Sequence, residues 1–401
     1  MQTTTHKIAT LGLATVTVLG LTAFQSVEAA SMYTVTDLGD FGFAPIPIAI
    51  NDTGQIVGSS GLLFPSNNGL LPSVEDGRAF VWENGLFSDL GNLANLEGFS
   101  SEAFDINDSG QIVGRSQVNS LDPFGNSFSP NHAFLWENGT MTDLGTFGGV
   151  NSSAFGINNR GQIVGSVKNN SGEERAFLWE DGMITDLGTL GGSTSVAVRI
   201  NDSGQIVGGA ETSSGNQHAF FWENGVITDL GTLGGSSSSA FDLNNSGQVV
   251  GHADLEGSFS HHAFLWQDGT MTDLGTLDDL PTSEANGINN AGQVVGYAYD
   301  LDSLRFAPFL WENDVMIDLN SLIPADSGWE LFIANDINNV GQITGIGLIN
   351  GTPRPVLLNP ISDQTAVPEP LTILGSSTAL GFGALFKREH SRRQKKAKSN
   401  D

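Results

Sequence analysis

Three histidines recur at one place in a repeated phrase. His132, His218 and His262 each open the triplet His-Ala-Phe. Imidazole ligates metals and moves protons near neutral pH, so three in register raise both chemistries. Arg78, Arg175 and Arg305 stand at the same place in other copies. Arginine has no lone pair for a metal and keeps its proton, so this reads as a polar position at a strand start. His261 beside His262, with His252 nearby, is the slightly better cluster. No His-Glu-x-x-His run accompanies it, and no metal is expected. Serine is abundant, but no Gly-x-Ser-x-Gly elbow occurs and no base is placed beside a nucleophile. Acidic positions such as Asp186 and Asp229 recur, and on adjacent units such carboxylates can share pKa shifts. Calcium is the one cofactor to weigh. Asn107-Asp108-Ser109-Gly110 and Asn201-Asp202-Ser203-Gly204 offer oxygens around a tight turn. Neither run carries the twelfth-position Glu of an EF-hand. Asp52 and Asp202 also align with neutral Asn159, Asn245 and Asn290, so no uniform ligand role results.

The phrase that carries these residues runs HAFFWENGVITDLGTLGG from His218 to Gly235. Close copies start at His132, Arg175 and His262, and looser ones at Arg78 and Arg305. A second motif, Asn-x-x-Gly-Gln, alternates with it at Asn51, Asn107, Asn158, Asn201, Asn244, Asn289 and Asn338. The steps between these asparagines are 56, 51, 43, 43, 45 and 49 residues. A period of this size marks stacked or radial units that cover one another's apolar faces.

Each unit reads as four strands. In the fifth copy they are Ser239 to Leu243, Gln248 to Val250, Ala263 to Trp266 and Met271 to Leu274. Asn84-Gly85, Asn138-Gly139, Asn224-Gly225, Asp181-Gly182 and Asp268-Gly269 separate the last two strands. These dipeptides accept the positive φ values of a two-residue hairpin. Asn313-Asp314 lacks the glycine, and a distorted turn is expected there.

The strand count does not close along the chain. Tyr33 to Leu38 is a fourth strand with no earlier strands before it, and the seventh unit lacks its fourth strand. A ring lets the first supply the second and leaves no raw edge. The predicted fold is all-β, a seven-bladed β-propeller of four-stranded blades closed by the N-terminal strand. Trp82, Trp136, Trp179, Trp222, Trp266 and Trp311 are expected to pack between blades as structural repeat positions, with Val356 or Leu357 in the last unit. Trp329 lies outside the pattern and is a candidate loop contact.

Bulk composition bounds the partners. The formal net charge is -28, and cysteine is absent, which excludes disulfides and thiol chemistry. Between residues 31 and 366 only eight basic residues face 40 acidic ones. Such a body repels nucleic acid and anionic surfaces.

Both ends read as addresses. Residues 1–29 have Lys7, an apolar stretch and small residues at Val27 and Ala29, the pattern of a cleaved signal peptide. The seven units fill 31–359, and residues 360–367 form a linker. Segment 368–401 starts with Pro368, Glu369 and Pro370, continues with the apolar run 371–386 and ends in a basic tail. Sixteen residues make about 24 Å of helix, short for a bilayer core of about 30 Å. The expectation is a short transmembrane helix that retains the chain only transiently.

This tail resembles a PEP-CTERM sorting signal, and the His-Ala-Phe units resemble the HAF family of extracellular repeats. The two resemblances together cover nearly the whole chain. They imply signal peptidase and an exosortase-type enzyme as processing partners. They also imply a cyanobacterial or Gram-negative envelope, and residence on the outer surface or in the extracellular matrix after transient inner-membrane retention. They imply no substrate.

Function is expected on the face that carries the connections from strand two to strand three. These span residues 59–78 and 115–132 in the first two units and nine to eleven residues later. Phe64, Leu70, Leu121, Phe124 and Phe128 are the candidate binding positions there. The expected role is non-catalytic binding of a glycan or envelope protein. A polysaccharide hydrolase or lyase is the alternative, and it requires carboxylates or a histidine converging at the channel or on the loop face. A purely structural sheath protein is the third possibility.

Overall fold

The computed structural model describes residues 33–41, 45–60, 77–121, 127–258, 260–277 and 279–361. They form seven four-stranded antiparallel sheets and one small hairpin, Ser120–Leu121 with Ser127–Phe128. The sheets are the blades of a propeller, numbered here by their first strands. These are Pro45–Ile50, Ser101–Ile106, Asn151–Ile157, Gly191–Ile200, Gly234–Leu243, Thr282–Ile288 and Trp329–Ile337. The ends of all seven line one central cavity of about 160 Å³, so the first strands are the inner ones.

Closure is by the N-terminal strand. Tyr33–Asp37 pairs antiparallel with Thr352–Pro360, from Tyr33 opposite Pro360 to Asp37 opposite Val356. Just beyond the strand, the Leu38 amide donates to the Pro355 carbonyl, and the Trp82 indole N–H of blade 1 donates to the Leu38 carbonyl. The expected pairing partner is therefore found. The residue at the tryptophan register of blade 7 is Leu358, opposite Ile343, and not Val356 or Leu357. The other six tryptophans each pack against clusters that span two neighbouring blades.

The inner strands of blades 4 and 5 are longer than their apolar cores suggest, because glycine- and serine-rich stretches join them, so that they begin at Gly191 and Gly234. Every inner strand is also bulged, as between Ala103 and Asp105 or Ala240 and Asp242. A bulge adds one residue opposite the partner strand and re-aims the side chains beyond it. Here it presses an inner-strand carbonyl against the glycine of the second strand. A Cβ on Gly58, Gly114 or Gly251 would overlap the carbonyl of Ile46, Glu102 or Ser239. This accounts for the glycine that ends the recurrent Gln-x-Val-Gly.

The hairpin dipeptides take left-handed backbone as expected, for example Asn84 at φ 51° and Gly85 at φ 87°. The turn expected to distort does not. Asn313 and Asp314 adopt the same shape at φ 51° and 61°. An L side chain at the second of these positions carries strain that glycine avoids. Asp314→Gly is therefore expected to raise stability by about 0.5–1 kcal/mol, the relief being partly offset by greater freedom of the unfolded chain. Denaturant unfolding checks this, and a lowered midpoint would contradict it.

No helix among the described residues is long and apolar enough to cross a membrane. The one helical element there is a 3-10 turn, Leu319–Leu322. The expectation of a transmembrane helix is corrected accordingly. The physical reason is already in the sequence, where a sixteen-residue run broken by Gly and Ser falls short of the bilayer core. That run, the signal peptide, Pro368, Glu369 and Pro370 lie outside the described residues, as do Phe64, Leu70 and Phe124. Leu121 and Phe128 lie on the small hairpin.

Candidate functional site

The recurrent asparagines build the hub. Each Nδ2 donates to the backbone carbonyl of the equivalent asparagine one blade on, at 2.9–3.1 Å, from Asn51 to Asn107 and round to Asn338, which donates back to Asn51. Each Oδ1 accepts the backbone N–H four residues on. Only a short side chain with both a donor and an acceptor can do this, so aspartate would fail here.

The next residue makes a second ring. The backbone N–H at each such position donates to the side-chain oxygen of its counterpart one blade on. Either Asp or Asn supplies that oxygen, which explains why Asp52, Asp108 and Asp202 alternate with asparagines. In Asp52, Asp108 and Asp202 Oδ1 accepts from a backbone N–H and Oδ2 from the side-chain amide of a neighbouring Asn339, Asn159 or Asn245, so the oxygens that calcium would need already have partners.

Below these rings the bulges place Ala49, Asp105, Gly156, Arg199, Asp242, Gly287 and Asp336 round the channel. Each aspartate binds two backbone amides, its own successor's and one from the next blade. Asp105 takes Ile106 and Ile157, Asp242 takes Leu243 and Ile288, and Asp336 takes Ile337 and Ile50. Three aspartates thus serve six blades, and the small Gly156, Gly287 and Ala49 stand where a neighbour's aspartate reaches across. Seven is odd, and the remaining blade carries Arg199. Its guanidinium donates to the Phe155 carbonyl at 2.8 Å and lies 4.0 Å from Asp242.

Burial pushes Asp105 upward, Asp242 up to about 6, and Asp336, with Asp242 close by, up to about 8. Burial works against the charge on Arg199, but Asp105, Asp242 and Asp336 outweigh it and hold the guanidinium above its ordinary value. Carboxylates do converge at the channel, as a hydrolase would require. Both oxygens of each are committed to backbone amides, however, so the channel is a structural hub.

The recurrent His and Arg positions are structural too. Arg78, His132, Arg175, His218 and His262 pair with Asp89, Asp143, Asp186, Asp229 and Asp273 within their own blades at 2.8–3.0 Å. The abundant serines include Ser101, Ser152, Ser238 and Ser283, each buried and bonded to two backbone groups of the preceding blade. Arg305 does not belong to the repeated position. The residue in register there is Ala307, opposite Ala298, so Asp318 has no basic partner at that register and instead caps the 3-10 turn through the Asn320 amide.

That break opens a cavity of about 500 Å³ on the face of the strand-two-to-three and blade-to-blade connections. Phe306, Trp329 and Phe332 supply aromatic surface, and Arg305, Asp318 and Glu330 supply charge. Gly347 seats the indole, since a Cβ there would come within 3.1 Å of the Trp329 ring. The volume lies in the usual range for small-ligand sites.

A chemical cluster lies beside it. His261 Nε2 is 3.1 Å from Glu284 Oε1. Tyr297 donates to Glu284 Oε2 at 3.0 Å and Tyr299 to Oε1 at 3.2 Å. His252 packs on His261 with ring centroids 4.3 Å apart, and its buried Nδ1 has no hydrogen-bond partner. Tyr299 stacks on Phe306, whose ring also meets Phe332, and both phenylalanines line the cavity. Burial is the largest influence on Glu284 and opposes ionisation, but bonds from His261 and Tyr297 with the nearby imidazoles hold it below the usual carboxylate range. Burial drives His252 down to about 4, and burial with Glu284 drives both tyrosines up. The sequence placed His252 near His261 but missed Glu284, Tyr297 and Tyr299, which come from the next blade. Two of the chain's three tyrosines falling at Tyr297 and Tyr299 was the available signal.

No family model and no curated protein matches the chain. Among solved structures it is similar to TolB from Acinetobacter baumannii, at 14% identity and a TM-score of 0.39 over 69% of this chain and 62% of that one. A puromycin-hydrolyzing peptidase from Mycobacterium tuberculosis is similar at 9% identity and a TM-score of 0.47, over 76% and 48% of the two chains. Trypanosoma rangeli sialidase is similar at 13% and 0.37, over 79% and 54%. The chain spans less than two thirds of each of these proteins. At such scores the likenesses carry no argument about activity, and the architecture rests on the strand pairing itself.

Proposed function

We propose that the protein is exported, is trimmed by signal peptidase and an exosortase-type enzyme, and acts on an uncharged extracellular glycan at the cavity between blades 6 and 7. The observation that carries this is the three-ring cavity where blade 6 loses the basic–aspartate pair of the repeat. Sugar rings present apolar C–H faces to aromatic side chains, while carboxylates such as Asp318 and Glu330 accept hydroxyl protons. The acidic surplus of the body disfavours anionic polymers. The cavity supports recognition. The neighbouring His252, His261 and Glu284 support more than inert binding, because a lectin or sheath filler has no use for them. This favours a polysaccharide hydrolase or lyase over the purely binding role.

The test is a panel of neutral and uronate-containing oligosaccharides presented to the purified full chain, with reducing ends followed over time. Neutral glycans are expected to bind, and Trp329→Ala to weaken binding at least about tenfold, or about 1.4 kcal/mol, with unchanged melting. Glu284→Gln is expected to abolish cleavage while binding persists. Binding confined to uronates, or untouched by Trp329→Ala, would overturn the proposal. Glycans bound but returned intact would leave recognition and remove the chemistry.

A further inference from the structure

Both oxygens of each channel aspartate and the hydroxyls of the buried serines are bonded within the fold. Among the described residues two buried side-chain nitrogens have no partner, Arg175 Nε, which as part of a guanidinium offers no lone pair, and His252 Nδ1. One ligating atom from each of His252, His261 and Glu284 lies within 4.8 Å of the others, and His252 Nδ1 is sealed from solvent without a partner. A buried nitrogen lone pair or N–H left unpaired is rare unless something outside the chain meets it.

We propose that His252, His261 and Glu284 hold one divalent transition-metal ion of the zinc class. The 3.1 Å between His261 Nε2 and Glu284 Oε1 is close to an edge of a tetrahedron with metal–ligand bonds of about 2.0–2.1 Å, which is roughly 3.3 Å. Two of the three donors are imidazole nitrogens. That set suits zinc, cobalt or nickel and is wrong for calcium, which takes six to eight oxygens. Tyr297 holds the carboxylate's other oxygen, Oε2, from behind, as an outer partner of a ligand does. The Tyr299 hydroxyl lies 3.2 Å from Oε1 and 3.4 Å from His261 Nε2, beside the two atoms that would meet the ion. Three protein ligands leave a fourth position for water, the arrangement of a catalytic site more than a structural one. The side chains of His261 and Glu284 are 20% and 17% exposed, so that position is reachable. The inference stands apart from the glycan, since metal uptake is read without any sugar.

The experiment uses the full chain stripped with a chelator. Zinc is titrated calorimetrically, and cobalt is followed by its visible absorption. One ion per chain is expected, with the strong visible bands of a four-coordinate cobalt site. His261→Ala and Glu284→Gln should each weaken binding at least about tenfold, and Tyr297→Phe by about tenfold through the lost outer partner. His262→Ala, one residue away and paired to Asp273, should keep the parent affinity. His252→Ala is read only if circular dichroism shows a folded chain, and His261→Ala decides the matter otherwise. No stoichiometric uptake overturns the proposal. So does uptake that survives both His261→Ala and Glu284→Gln, or calcium competing as well as zinc.

Discussion

Deleting residues 31–39 is expected to cost about 5 kcal/mol of stability and to make the chain aggregate. The deletion removes two nearly fully buried side chains, Tyr33 and Leu38. Each is worth about 1.5–3 kcal/mol of apolar burial. It also strips the Trp82 indole N–H of its acceptor and uncovers the edge of Thr352–Pro360. An exposed edge offers unpaired backbone groups to other chains. The blade 1 to blade 7 junction then loses its covalent wrap, although the asparagine ring still joins Asn338 to Asn51. Denaturant unfolding with light scattering checks this. A midpoint equal to that of the parent, with no gain in scattering, would show that the strand is decoration and not a clasp.

Arg199→Met is expected to be nearly as damaging, and more so at alkaline pH. Removing one partner from a buried charge group costs about 3–5 kcal/mol, because the remaining charges stay uncompensated. Three aspartates would then face one another round the channel. The sign with pH comes from their raised values. Asp242 and Asp336 hold protons in the fold that the unfolded chain releases near pH 4. Stability from this group is therefore greatest at acid pH and falls as pH rises toward about 8. The variant should be closest to the parent near pH 5 and furthest from it near pH 8. Adding Asp242→Asn to Arg199→Met should recover part of the loss at pH 8. Equal losses at both pH values, or no recovery, would mean that the aspartates act only as hydrogen-bond acceptors.

The propeller was legible because its signals repeat. Seven Asn-x-x-Gly motifs, the hairpin dipeptides, an orphan strand at the start and a missing strand at the end allow one closed ring, and Tyr33 opposite Pro360 confirms it. The channel was not legible for the opposite reason. Asp105, Arg199, Asp242 and Asp336 occupy one register position but share it with Ala49, Gly156 and Gly287, so no consensus shows. Only in the ring does each aspartate sit beside a small residue that it covers for. Arg305 misled because the third strand of blade 6 has extra residues before its core, which puts Ala307 at the expected place. The emphasis on residues 59–78 and 115–132 came from loop length, and of these 61–76 and 122–126 lie outside the described ones. The cavity came instead from a break in pairing at Asp318 and from Trp329, the tryptophan outside the repeat. The His252, His261 and Glu284 group spans two blades and 32 residues, a separation at which spacing carries no chemistry.

A crystal structure of the chain grown with a neutral oligosaccharide that it retains tests the proposed site most directly. Sugar density is expected in contact with Phe306, Trp329 and Phe332, on the face that also carries His261 and Glu284. Sugar seated instead at the asparagine ring, or along residues 59–78 and 115–132 with the cavity empty, would contradict a glycan site between blades 6 and 7.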